Sequence, residues 1–148
     1  MSVEAFSEEK TYTVTGDSMA PALIPGDRVV VEEKPAEPVK KGDLVAINFK
    51  HTEIPIVKRV IAVSGDSLII RSNMLIVNNE PVRSFDEKRW MSTVRQLERY
   101  GWVVPPNNIF ILGDNPKNSR DSRRLGLIST SQIKAKVVRI IHTGAKPR

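Results

Sequence analysis

The chain is expected to fold mainly as β-structure, in an antiparallel, barrel-like arrangement with one or two short helices. Three observations lead there. Apolar and β-branched residues gather in short runs with period-two alternation. Turn signals separate those runs at close intervals. Helical spacing is confined to two brief stretches, residues 18–23 and 86–99.

Strands are expected over Thr11–Thr15, Arg28–Glu32, Leu44–Phe49, Ile56–Val63, Ser67–Arg71, Leu75–Val77, Ile109–Leu112 and Lys136–His142. The turns between them are Pro25-Gly26-Asp27, Lys41-Gly42-Asp43, Ser64-Gly65-Asp66 and Asn78-Asn79. Glycine and Asn tolerate the backbone such turns need, and Asp hydrogen-bonds nearby main chain. Glu33–Lys40, with two prolines, reads as a surface loop. In the second helical stretch Asp86 and Glu87 stand at the start and Arg95 and Arg99 at the end. That order complements the helix dipole. Trp90, Val94 and Leu97 form its apolar side, suited to packing on the body.

At 148 residues, with 40% apolar and 27% charged residues, the chain suits one folded domain, residues 1–148. An excursion around residues 72–108 is expected within it. There is no cysteine, so disulfides, thiolate metal sites and cysteine nucleophiles are excluded. His51 and His142 are the only histidines. They are too few for a His-rich metal centre, and a Ser-His-Asp triad would need one of them. No metal or cofactor is expected.

The net charge of +6 is unevenly spread. Residues 1–81 hold nine Lys/Arg against twelve Asp/Glu, whereas residues 82–148 hold fourteen against five. So basic a second part suits an anionic membrane surface or a nucleic acid, and equally a solvated face. No run of 18 apolar residues spans a bilayer, and the first ten residues lack the features of a signal peptide. Either the protein is naturally soluble or an upstream anchor is missing.

Three segments carry candidate chemistry. Gly16-Asp17-Ser18-Met19-Ala20-Pro21 presents a serine beside a glycine turn. A serine hydroxyl is a weak nucleophile and needs a base. Val57-Lys58-Arg59-Val60 sets a lysine in an apolar strand. Alternation places Ile56, Lys58 and Val60 on one face and Val57, Arg59 and Ile61 on the other. A lysine acts as a base only when neutral, and burial among branched aliphatics favours that form. Alternatively the lysine reaches water from a strand edge. Gly113–Arg123 follows the apolar run Ile109–Leu112, and its last seven residues are all charged, hydroxylated or amide-bearing. Such a loop delivers side chains to a site or ties a corner of the fold.

In order along the chain, Gly-Asp-Ser-Met-Ala-Pro-Ala-Leu, Lys-Arg-Val-Ile-Ala-Val-Ser-Gly-Asp and Gly-Asp-Asn-Pro-Lys-Asn-Ser-Arg-Asp-Ser-Arg-Arg-Leu-Gly resemble the boxes of type I signal peptidases. Those are the Ser-Lys peptidases that remove signal peptides from exported proteins. Pro25–Val31, Lys41–Val45 and Val77–Val82 resemble the connecting pieces, so the likeness covers about residues 12–142. It implies Ser18 as nucleophile, Lys58 as general base and the Ser18 N–H as an oxyanion-hole donor. Ser119 would hydrogen-bond and orient the lysine. Asp121 and Arg123 would brace the site as an ion pair. Met19 would lie against the substrate, an extended peptide with small residues, typically alanine, one and three positions before the cut. Asp17 is expected to be exposed and chemically idle.

The chain departs from the family pattern in places. Gly16 stands where some members add a serine donor, Pro116 and Lys117 where a basic and an acidic residue are common, and Leu125 where an aromatic is frequent. The spanning helices that usually begin these enzymes are absent from this sequence. The expected partners are preprotein signal peptides and an anionic membrane surface, on the extracytoplasmic face if an anchor is missing.

Three other readings compete. A specialised soluble maturation peptidase of the same clan fits the missing anchor. A self-cleaving repressor-type protease needs a DNA-binding domain upstream, but seventeen residues precede Ser18 and no Ala-Gly dipeptide offers a cleavage site. A basic β-domain that binds nucleic acid leaves Ser18, Lys58 and Ser119 unexplained, and no nucleic acid is expected as a partner.

Overall fold

Three Gly-Asp turns set the frame of the molecule. Gly26, Gly42 and Gly65 take φ of 97°, 91° and 91°, the left-handed region that favours glycine. In each turn the following aspartate accepts a hydrogen bond from the main-chain N–H three residues earlier. Asp27 takes Ile24 N at 3.0 Å, Asp43 takes Lys40 N at 2.9 Å and Asp66 takes Val63 N at 2.9 Å. A strand follows each turn. The sequence signal therefore marked one local device used three times.

The structure, a computed structural model, describes residues 9–33, 37–49 and 55–143. The strands are β1 (Glu9–Thr13), β2 (Arg28–Glu32), β3 (Leu44–Ile47), β4 (Ile56–Val63), β5 (Leu68–Arg71), β6 (Met74–Val77), β7 (Glu80–Ser84), β8 (Asn108–Leu112), β9 (Ile128–Ser129) and β10 (Ile133–Ile141). The helices are α1 (Met91–Arg99) and α2 (Ser122–Leu125). Seven strands form one antiparallel sheet in the order β1-β2-β10-β3-β4-β8-β9, and β5-β6-β7 form a second. The mainly β, antiparallel expectation holds. The large sheet is strongly connected but is not a closed barrel.

Sequence and structure part at several edges. The Ser18–Leu23 stretch is a series of turns with one helical contact, Leu23 N to Met19 O at 3.0 Å, rather than a helix. Residues 87–90 are turn, and α1 begins only at Met91. Trp90 caps it without a side-chain hydrogen bond, and Asp86 instead accepts from Arg89 N at 3.3 Å. Strand β7 lies where Pro81 and exposed side chains hid it, as prolines on edge strands do. Asn78 and Asn79, both at positive φ, close the tight β6–β7 hairpin.

Burial along β4 alternates as its sequence requires, with Lys58, Val60 and Ala62 inside. Register pairs Lys58 with Val45 of β3 and Arg59 with Leu112 of β8. One apolar cluster joins β5, β6 and α1 to Ala62, Phe110 and Leu112. A second gathers Met19 and Leu23 onto Val29, Val31, Leu44 and Ala135. The end of β8 thus lies between the small sheet and the turn that carries Ser18.

Candidate active site

Lys58 is 3% exposed, although it is a lysine in the middle of a strand. Its Nζ lies 2.7 Å from Ser18 Oγ, across 40 residues of sequence. Two changes of direction make that contact. The β1–β2 connection folds back through Val14 N to Asp27 O at 2.7 Å and Gly26 N to Val14 O at 2.9 Å. The β8–α2 loop then clasps it, with Asn115 N donating to Ser18 O at 2.9 Å and Asn115 Nδ2 to Asp17 O at 3.1 Å.

Burial is the largest influence on the Lys58 amine and lowers its pKa from the usual 10.5. Asp121 opposes that shift, Arg123 reinforces it and Asp114 opposes it. The amine therefore sits where loss of hydration favours the neutral form, with nearby charges acting in both directions.

Asp121 is the largest of those charge influences. Its side chain is fully buried and caps α2. It accepts from Arg123 Nε at 2.8 Å, Arg123 Nη2 at 3.0 Å, Arg123 N at 3.1 Å, Gly113 N at 2.9 Å and Ser119 Oγ at 2.7 Å. A bidentate guanidinium and three further donors compensate a carboxylate that burial alone would penalise. Arg123 also reaches Pro116 O at 3.1 Å and Ser119 O at 3.3 Å, so it holds the loop as well as the charge.

Ser119 departs from the resemblance. It does not hydrogen-bond Lys58; its hydroxyl donates to Asp121. A buried carboxylate with open acceptor capacity is the stronger attractor for that proton. Met19 is buried at 2% exposure, and its Sδ accepts Asp114 N at 3.4 Å. It also lines a cleft beside Ser18. Asp17 is exposed yet bonded, its carboxylate accepting Asn118 Nδ2. His142 pairs with Asp27 at 3.2 Å, not with Ser18, and His51 lies outside the described residues.

Three contributors escaped the sequence reading. Arg59 forms a two-point ion pair with Asp114, Nε to Oδ1 at 2.9 Å and Nη2 to Oδ2 at 2.8 Å. Their adjacency to Lys58 and Gly113, with opposite charge, was the available signal. Arg83 donates from β7 to Gly113 O at 2.7 Å, for which the sequence held no sign. Gly113 itself is packed so closely that a Cβ would overlap Ser119 Oγ and come within 2.7 Å of Ser18 O. Gly113→Ala is accordingly expected to cost about 1–3 kcal/mol of stability. It should also lower turnover, because relief of the overlap displaces the Ser18 main chain. Thermal denaturation alongside peptidase assay checks both.

The cleft beside Ser18 has a volume of about 290 Å³. Residues 12–16 form one wall and Pro55, Ile56 and Val57 the other, with Met19, Leu23 and Val29 among its lining residues. Among the described residues β1 pairs only with β2, and Ile56 and Val57 pair only with β3, so both walls offer open strand edge there. Among the described residues no hydrogen bond engages the Ser18 N–H. Nor does any group of three or more His, Asp or Glu side chains there suit a metal ion.

The model of the family described as signal peptidase, peptidase S26 matches residues 4–142. Signal peptidase I S of Bacillus subtilis (strain 168) is 36% identical over 132 residues, 82% of this chain and 71% of the relative. Signal peptidase I of Bacillus caldolyticus is 33% identical over 138 residues, 85% of this chain and 75% of the relative. A crystal structure of a signal peptidase I from Enterococcus faecalis V583 superposes with a TM-score of 0.51 at 19% identity. The match covers 70% of this chain and all of that one, and it shows a shared fold. These likenesses define a serine peptidase, a hydrolase. The chain belongs to the signal peptidase, peptidase S26, family.

Proposed function

We propose that this peptidase cleaves N-terminal signal peptides from exported proteins after small residues, at Ala-X-Ala sites, through a Ser18–Lys58 dyad. The observation that carries the reading is the 2.7 Å approach of a buried lysine amine to the Ser18 hydroxyl. Neutral Lys58 removes the Oγ proton as Oγ bonds to the scissile carbonyl carbon. The carbonyl oxygen becomes an oxyanion, for which the unengaged Ser18 N–H is a donor. Lys58 then returns the proton to the departing amine as the C–N bond breaks. Water, deprotonated by Lys58, attacks the acyl-enzyme ester, and Lys58 passes that proton to Ser18 Oγ as the ester C–O bond breaks.

The substrate enters extended and adds to strand edge in the cleft, as peptides do at unpaired sheet edges. Met19 and Leu23 leave room there for small side chains. Asp121, Arg123 and Ser119 hold the loop that supports the dyad. The basic second part of the chain would draw the enzyme to an anionic membrane surface on the extracytoplasmic side. Among the described residues no helix is long and apolar enough to cross a membrane.

Cleavage of a peptide bearing an Ala-X-Ala site, read by mass spectrometry, tests the specificity. A single cut is expected, after the second alanine, giving two fragments. Replacing either alanine with a bulky residue should suppress it. Equal cleavage of all these peptides, or cleavage elsewhere, would contradict the proposal.

A further inference from the structure

A second cavity, of about 420 Å³, is lined by the loop that carries Ser119 and Asp121. Arg89, Lys117, Arg120 and Arg124 line it, together with Trp90. All four cationic residues are exposed, and none is in an ion pair among the described residues. The carboxylate at this cavity, Asp121, is already saturated by Arg123, Ser119 and Gly113. Four positive charges thus face one pocket with no free counter-charge.

The arrangement is partly ordered in advance. The Arg89 guanidinium lies over the Trp90 ring, 5.6 Å from its centroid, and Arg123 lies over the same ring at 5.2 Å. Stacking restricts a long side chain before any ligand arrives. Phe85 packs edge-on against Trp90 with centroids 4.8 Å apart and fixes the indole in turn. Planar guanidinium groups match the oxygens of a phosphate two at a time, and a lysine adds a mobile point charge.

We propose that this pocket binds a phosphate group, from either a lipid headgroup or a soluble phosphate. Clustered like charges cost stability in the empty protein, and a phosphate dianion or diester removes that cost. The ligand would bind to the same 116–124 segment that supports the dyad, and the pocket's lining shares no residue with the peptide cleft.

The test compares wild type with Arg120→Gln/Arg124→Gln and with Arg71→Gln/Arg95→Gln. The last pair loses the same charge from exposed positions outside the pocket. Titration with inorganic phosphate at fixed ionic strength is followed by calorimetry and by melting temperature. Vesicle flotation uses phosphatidylglycerol in phosphatidylcholine, with pure phosphatidylcholine as reference. Wild type should bind phosphate saturably and melt higher with it. The pocket variant should bind about tenfold more weakly or worse, the control within about twofold. If the pocket variant also loses binding to the anionic vesicles while the control keeps it, the source is the headgroup. If only phosphate binding falls, the source is soluble. Equal behaviour of the two variants in both arms, or no saturable binding in either, would overturn the proposal. No peptide enters the assay, so its outcome is separate from that of the cleavage experiment.

Discussion

Ser18→Ala and Lys58→Met should each reduce peptide cleavage by about a thousandfold or more, and the double variant hardly further. The two side chains act as one unit, so removal of either leaves the other without a role. Their effects on stability should differ from their effects on activity. Lys58→Met replaces a buried amine with an apolar chain of similar length, and its melting temperature should equal or exceed that of wild type. A peptidase lost together with gained stability is the mark of a group kept for chemistry.

pH extends the same prediction. The folded-state pKa of Lys58 is below its unfolded value of 10.5. The burial penalty is therefore full below the folded pKa and disappears as pH rises toward 10.5. Wild type should gain stability relative to Lys58→Met across that window. Cleavage should rise with pH through the folded pKa, because only the neutral amine accepts the Ser18 proton. Melting curves of both proteins across pH, beside kcat/KM, check the sign.

Arg123→Gln has the next largest expected effect. It removes the counter-charge from Asp121 and leaves a buried carboxylate with fewer donors. Breaking such a pair from one side costs about 3–5 kcal/mol. The chemistry should change as well. Arg123 pushes the Lys58 pKa down while Asp121 and Asp114 push it up, so loss of Arg123 leaves burial alone to oppose them and the pKa rises. The pH–activity profile should move to the alkaline side. Denaturant unfolding and a pH–rate profile measure the two effects, and a destabilised variant with an unmoved profile would confine Arg123 to a structural role.

Much of this was legible in the sequence. Alternation set Lys58 on one face with Ile56 and Val60 but left open whether it is buried or reaches water, and the three Gly-Asp turns marked the starts of β2, β3 and β5. Residue chemistry pointed to Ser18 and Lys58, and the family resemblance added Asp121 and Arg123. What stayed hidden depends on register and approach. Arg59 meets Asp114 across 55 residues, and only the β4–β8 pairing brings them together. Ser119 turns to Asp121 because of a carboxylate position that no spacing reveals. Strand β7 carries a proline and exposed residues, so it lacks the alternation of a half-buried strand. It nevertheless aims Arg83 at the Gly113 carbonyl, 30 residues away.

The central claim is that Lys58 is the base and works as a neutral amine. Its Nζ can be followed directly by nitrogen-detected NMR of lysine-labelled protein across pH, with Lys58→Met to assign the signal. The account predicts a titration below 10.5, coincident with the ascending limb of kcat/KM. A Lys58 amine that titrates at or above that value, or a rate profile that follows a different group, would contradict it.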